Sequence, residues 1–201
     1  MFKNKEQVMV VPVNYMNHLN NGFTPTNTTT KISYGLYDSV GLYRPLYEIE
    51  NNICLIRPSV LLIIKNKEDK YLVKELREKE KRPNLEMGLN SYIRSSSGNN
   101  EAVLNQIKTM TEKSFKEIPD FKYLGTIRDL ANETVQSIVG LVYYAETEEK
   151  NFIIKEKHWL YDYKWYNKKE LIDRYNKSTS WTRKITDMLV DKSFYEYIGR
   201  S

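Results

Sequence analysis

Arg77, Arg82 and Glu133 are the side chains whose chemistry stands out first. A guanidinium fork matches the oxygens of a phosphate, and a loop carboxylate can hold a cation or take a proton from water. Arg77 and Arg82 follow a predicted strand and sit among Glu75, Glu78 and Glu80, so solvated surface pairing is the plainer expectation for them. Glu133 follows Asn132 in the segment joining two predicted strands, where a structural or surface role is the plainer expectation. His18 and His158 stand far apart, and neither has a partner at metal-ligand spacing. Cys54 is the single cysteine, so no disulfide closes within the chain and no cysteine-based zinc site forms. Its neighbours Ile53, Leu55 and Ile56 predict a buried, inert thiol. Trp159, Tyr161, Tyr163, Trp165 and Tyr166 form a dense aromatic stretch, expected to pack in the core and on an edge strand. Such rings beside a cleft can also stack a base.

These residues need elements to hold them. Val8–Val13 reads as an opening edge strand, and residues 14–43, rich in Asn, Thr, Gly and Tyr, read as a long ordered loop. Ile53–Ile56 and Val60–Ile64 are two strand signals around Arg57-Pro58. The second is apolar and β-branched, as a strand buried on both faces requires. Lys65–Lys70 is a turn, Tyr71–Leu76 returns as a hairpin partner, and Leu85–Ile93 is a weaker strand containing Gly88. A helix is expected over 101–114, with Val103, Ile107 and Met110 on its core face. Phe121–Ile127, Ser137–Ala145 and Lys164–Tyr166 read as further strands. Asn167 and Glu170 form a capping-box pattern for a helix to about Tyr175. A last helix carries Trp181, Ile185, Met188 and Leu189 on one stripe and ends near Gly199.

Bulk properties set the limits. The 201 residues fit one domain, and 40% hydrophobic with 28% charged residues is globular composition that argues against disorder. The net charge of +5 leaves 31 basic residues against 26 acidic ones. The basic residues are scattered, and the one cluster, Lys79–Arg82, contains Glu80. A dedicated nucleic-acid binder is therefore not expected. No apolar run is long enough to span a membrane or to form a secretion signal, so a cytoplasmic protein is expected.

The order of elements, together with Val10-Val11-Pro12, Gly22-Phe23-Thr24-Pro25, Arg57-Pro58 to Ile64 and Tyr71-Leu72-Val73, resembles the Nudix hydrolase superfamily. Asn132-Glu133, Gly140-Leu141-Val142 and Ser180-Trp181-Thr182 extend the resemblance over nearly the whole chain. It is to a branch labelled predicted phosphoesterases, which begin with a Val-Val-Pro strand. The resemblance implies an α/β (α+β) fold, a mixed sheet sandwiched between helices. Residues 1–201 would form a single domain, with 1–50 as an N-terminal strand and loop extension packed on the core. The Nudix box, G-x5-E-x7-R-E-U-x-E-E-x-G-U with U bulky and aliphatic, gathers carboxylates on one helix face. There they hold Mg²⁺, which clamps a diphosphate and activates water.

Set on Ser91, the box places its first Glu at Ser97, its Arg at Asn105 and the next Glu at Gln106. Ile107 keeps the aliphatic position, and the paired metal-binding Glu positions fall on Thr109 and Met110. The resemblance thus implies a box whose Mg²⁺ site is lost, with no catalytic residue beyond Glu133 and no cofactor. It also makes Arg77, Arg82 and Glu133 the ligand-binding candidates. The expected function is a catalytically degenerate Nudix-like binding or regulatory module for a nucleotide-like ligand or a protein partner. The alternatives are a divergent phosphohydrolase of nucleoside diphosphates that uses other residues, and an interaction protein with no ligand.

Overall fold

A computed structural model describes residues 6–16, 19, 21–25, 40–49, 52, 54–76, 85–95, 102–131, 136–153 and 161–199, apart from the side chain of residue 197. The first elements are β1 (Gln7–Pro12), β2 (Gly22–Pro25), β3 (Leu42–Pro45), the helical turn α1 (Leu46–Ile49) and β4 (Leu55–Asn66). Then come β5 (Tyr71–Leu76), β6 (Leu85–Met87), β7 (Leu89–Tyr92), α2 (Ala102–Glu112), β8 (Lys122–Arg128) and β9 (Ile138–Thr147). The last are β10 (Tyr161–Tyr166), α3 (Lys168–Asp173), α4 (Ser180–Val190) and α5 (Ser193–Ile198). The strands hydrogen-bond in the order β10-β5-β4-β9-β8-β2, while β1 and β7 also pair with β4, β3 with β1, and β6 with β5. Near the start of β4, the Arg57 amide donates to the Ser137 carbonyl just before β9 (2.8 Å). Near its end, Asn66 Nδ2 donates to Glu149 Oε2 just after β9 (3.3 Å). Matching starts and matching ends make β4 and β9 parallel, whereas β5 is antiparallel to β4. The sheet is therefore mixed, as expected.

Contacts divide the chain into two compact units, neither contiguous in sequence. One comprises Met1–Val60, Asn90–Thr109 and Gly125–Leu141. In it Val8, Val10 and Ile49 form a buried cluster, with Leu46, Leu55 and Tyr92 packed against it. The other comprises Leu61–Leu89, Met110–Leu124 and Val142–Ser201. Its core includes Leu62, Ile64, Tyr71, Val73, Leu189 and Phe194, all fully buried. No helix among the described residues is long and apolar enough to cross a membrane.

Several expectations need correcting. β1 is not an edge strand, because it pairs with β3 (Val8↔Arg44) and with β4 (Val11↔Ile56). The supposed loop at 14–43 contains β2, which pairs along β8 from Gly22↔Arg128 to Pro25↔Gly125. Arg57-Pro58 does not separate two strands. Pro58 lies inside β4 and gives its carbonyl to the Ile93 amide (3.4 Å), so its missing N–H costs one ladder bond, not the strand. Cys54 is exposed, held in a turn before β4 by its amide's bond to Asn52 Oδ1 (3.0 Å). Trp181 is only half-buried, and the last helix is two, because Lys192 takes a left-handed φ of 67° between α4 and α5. The capping box on α3 is present: Asn167 accepts from the Glu170 amide, and Glu170 accepts from the Asn167 amide.

Gly88 explains why one predicted strand became β6 and β7, which pair with β5 and with β4 respectively. Its φ is 71°, and a Cβ there would lie 2.0 Å from the Leu62 carbonyl oxygen. A left-handed residue with a side chain costs about 1–2 kcal/mol, and displacing the neighbouring backbone adds about 1–3. Gly88→Ala should therefore lower unfolding free energy by about 2–5 kcal/mol in urea titration. A loss below about 0.5 kcal/mol would contradict the close approach.

Candidate functional site

Helix α2 carries the register that the sequence singled out. Ala102, Val103, Gln106, Ile107 and Thr111 are buried, whereas Leu104, Lys108 and Thr109 are exposed, as an amphipathic helix requires. Met110 is only half-buried, so the core face expected through Met110 passes instead through Thr111, one residue on. Glu112 is exposed at the helix end, and Glu117 is exposed beyond it.

Gln106 is a polar residue inside the buried stripe, with 7% of its surface exposed. Its amide is used at both ends: Nε2 donates to Ser91 Oγ (3.1 Å), and Oε1 accepts from the Arg94 amide (3.3 Å). Ser91 Oγ in turn donates to the Tyr92 carbonyl (3.2 Å). Two of the singled-out residues, Ser91 and Gln106, are thereby brought together in a neutral network tying α2 to β7. Thr109 Oγ1 donates to the Asn105 carbonyl one turn earlier (2.8 Å). The Asn105 side chain is half-buried. Ser97, Glu101, Arg77, Arg82, Glu133, His18, His158 and Trp159 lie outside the described residues. Among the described residues, no three His, Cys, Asp or Glu side chains are grouped to hold a metal ion.

Two arginines not expected as site residues stand out instead. Arg57, near the start of β4, is 6% exposed. Its Nη2 donates to Ser137 Oγ (2.5 Å), and its guanidinium carbon lies 5.8 Å from the Tyr92 ring centroid. Its Nε has no acceptor. Arg128, the last residue of β8, is 8% exposed; its Nη1 donates to the Met16 carbonyl (3.3 Å), and its Nε also lacks an acceptor. Burial pushes the Arg128 pKa down from its ordinary value, yet a guanidinium starts so high that it stays charged at neutral pH. A buried donor left unmet costs about 1–3 kcal/mol, and desolvating a charge costs more. The one signal in sequence was Arg57 interrupting an apolar, strand-forming run; Arg128 gave none.

Comparison with known proteins places this arrangement in a fold. No protein-family model matches the chain, and no curated protein matches it by sequence. Among solved structures, it is similar to Tm1382, a candidate Nudix hydrolase, at a TM-score of 0.75 and 16% identity, over 93% of this chain and 100% of that one. The MutT protein from Methanosarcina mazei Go1 aligns over 69% of this chain and 95% of its own, at 13% identity and a TM-score of 0.48. The Nudix domain of Shewanella oneidensis NrtR, solved with ADP ribose, aligns over 69% and 88%, at 14% identity and 0.43. The Tm1382 match carries the conclusion: the chain has a Nudix-like fold.

The helix register makes a prediction of its own. Ile107→Ala empties a buried aliphatic site and should cost about 2–5 kcal/mol in urea titration. Thr109→Glu, on the exposed face, should stay within about 0.5 kcal/mol, with Met110→Glu falling between the two. Equal losses for Ile107→Ala and Thr109→Glu would show that the helix faces have been misassigned.

Proposed function

We propose that this chain is a Nudix-like binding module that holds a nucleotide-like ligand without metal-dependent hydrolysis. Gln106 carries the reading. In the box register it stands where a carboxylate is expected, yet it is a neutral amide, with donor and acceptor both engaged inside the protein. The positions assigned to the paired metal-binding carboxylates hold Thr109, bonded to its own helix, and Met110. A hard cation such as Mg²⁺ needs anionic oxygens to offset its charge. Asn105, Gln106, Thr109 and Met110 supply none, and the Gln106 amide oxygen is already taken by the Arg94 amide. The ligand half of the reading is supported by the resemblance to diphosphate-binding proteins and by the net positive charge of +5.

The test pairs binding with turnover. Thermal shift should show stabilisation by ADP, ADP-ribose or a dinucleotide, equally with and without Mn²⁺. Phosphate or mononucleotide release should stay at background. Metal-dependent turnover abolished by Glu133→Gln would replace this reading with a hydrolase. Absence of any nucleotide response would leave an interaction protein.

A further inference from the structure

We propose that Arg57 and Arg128 form the receiving site for a phosphate group of the ligand, at the end of the sheet where β9 begins. The inference rests on the nucleotide-binding reading but comes from a different observation, the treatment of buried charge along β4. At the far end of this strand, Lys65 is 4% exposed and faces two carboxylates: it pairs with Asp69 and lies 3.8 Å from Glu146. The polar groups around it are equally engaged. Asn66 Oδ1 accepts from the amides of Glu68 (3.0 Å) and Lys70 (2.9 Å). At the near end, Arg57 is buried to a similar degree, but among the described residues its guanidinium meets a serine hydroxyl and an aromatic ring. Arg128 donates to the Met16 carbonyl. Among the described residues neither arginine has a carboxylate partner, and each keeps a buried Nε–H that donates to nothing.

The two arginines flank one place. Arg57 reaches Ser137, immediately before β9, from the neighbouring strand β4. Arg128 closes β8, the neighbour of β9 on its other side. Only residues 129–137 join β8 to β9, too few for a parallel crossover, so the end of β8 lies beside the start of β9. Two strand spacings set β4 and β8 about 10 Å apart across the sheet. Two desolvated guanidinium groups with no carboxylate partner among the described residues, on either side of one strand start, match a ligand that brings its own oxygens. Phosphate suits them because its oxygens accept the parallel N–H bonds of the fork. The lysine at the other end marks the contrast: there the fold supplies the anions itself.

The test reads the two side chains directly. The ¹⁵N-labelled full chain is titrated with inorganic pyrophosphate, AMP, ADP and ADP-ribose, and Nε–Hε correlations are recorded against sodium chloride at matched ionic strength. Arg57→Lys and Arg128→Lys assign the two resonances. Both should shift saturably with pyrophosphate and not with chloride. Arg57→Lys, which keeps the charge but loses the fork, should weaken pyrophosphate binding by roughly tenfold. If nucleotides bind while both resonances stay still, this inference is overturned and the binding-module reading stands. If pyrophosphate shifts them but ADP and ADP-ribose bind no more tightly than pyrophosphate, the phosphate site stands and the nucleotide reading falls. If no resonance anywhere in the chain responds to any of these anions, both fall.

Discussion

Burial of β4 constrains everything around it. β1, β5, β7 and β9 all hydrogen-bond to this one strand, and every residue from Ile56 to Asn66 is buried. A strand so enclosed must be apolar through its middle, and Val60 to Ile64 meet that demand. Its polar residues are confined to the ends, where each needs a local answer to desolvation. At the Lys65–Asn66 end, a tight turn and the residues around the end of β9 supply that answer. At the Arg57 end, the described residues supply it only in part: Ser137 meets Nη2, and Nε has no acceptor.

The same constraint explains why α2 is tied down by hydrogen bonds as well as by packing. Its buried stripe includes one amide, and an amide in that position is tolerated only if both its ends are met. Ser91 Oγ and the Arg94 amide meet them, which requires the chain after β7 to run close beneath the helix. Gly88 lets that chain leave β6 and join β4 as β7, because the Leu62 carbonyl leaves no room for a side chain there. A backbone requirement at residue 88 thus bears on where residue 91 can stand.

Much of this was legible in the sequence, where the signal is local. The β-branched run at 60–64, the hairpin return at Tyr71 and the Asn167–Glu170 capping box depend on residues a few positions apart, and the structure contains all three. β2 and β3 were not legible. They are four residues each, and their order comes from partners far away or on another element, Gly125 to Arg128 for β2 and Gln7 to Val10 for β3. Pro58 misled because proline usually stops a strand, yet here its carbonyl alone keeps it in the ladder. In the site, the neutral residues at 105, 106, 109 and 110 were legible as types. The burial of Arg128 was not, since the one-letter sequence is the same for a solvated arginine and a desolvated one. For Arg57 the only sign was its place in an apolar, strand-forming run.

The amide at position 106 has one more consequence. A glutamine side chain does not titrate, whereas a carboxylate in its place would change charge around roughly pH 4. A carboxylate there would also respond to the concentration of divalent ions and, less strongly, of ordinary salt. The link from α2 to β7 through Gln106 depends on neither protons nor cations. The corner of the molecule built on that link should keep one geometry from mildly acidic to alkaline solution, whatever the ionic surroundings.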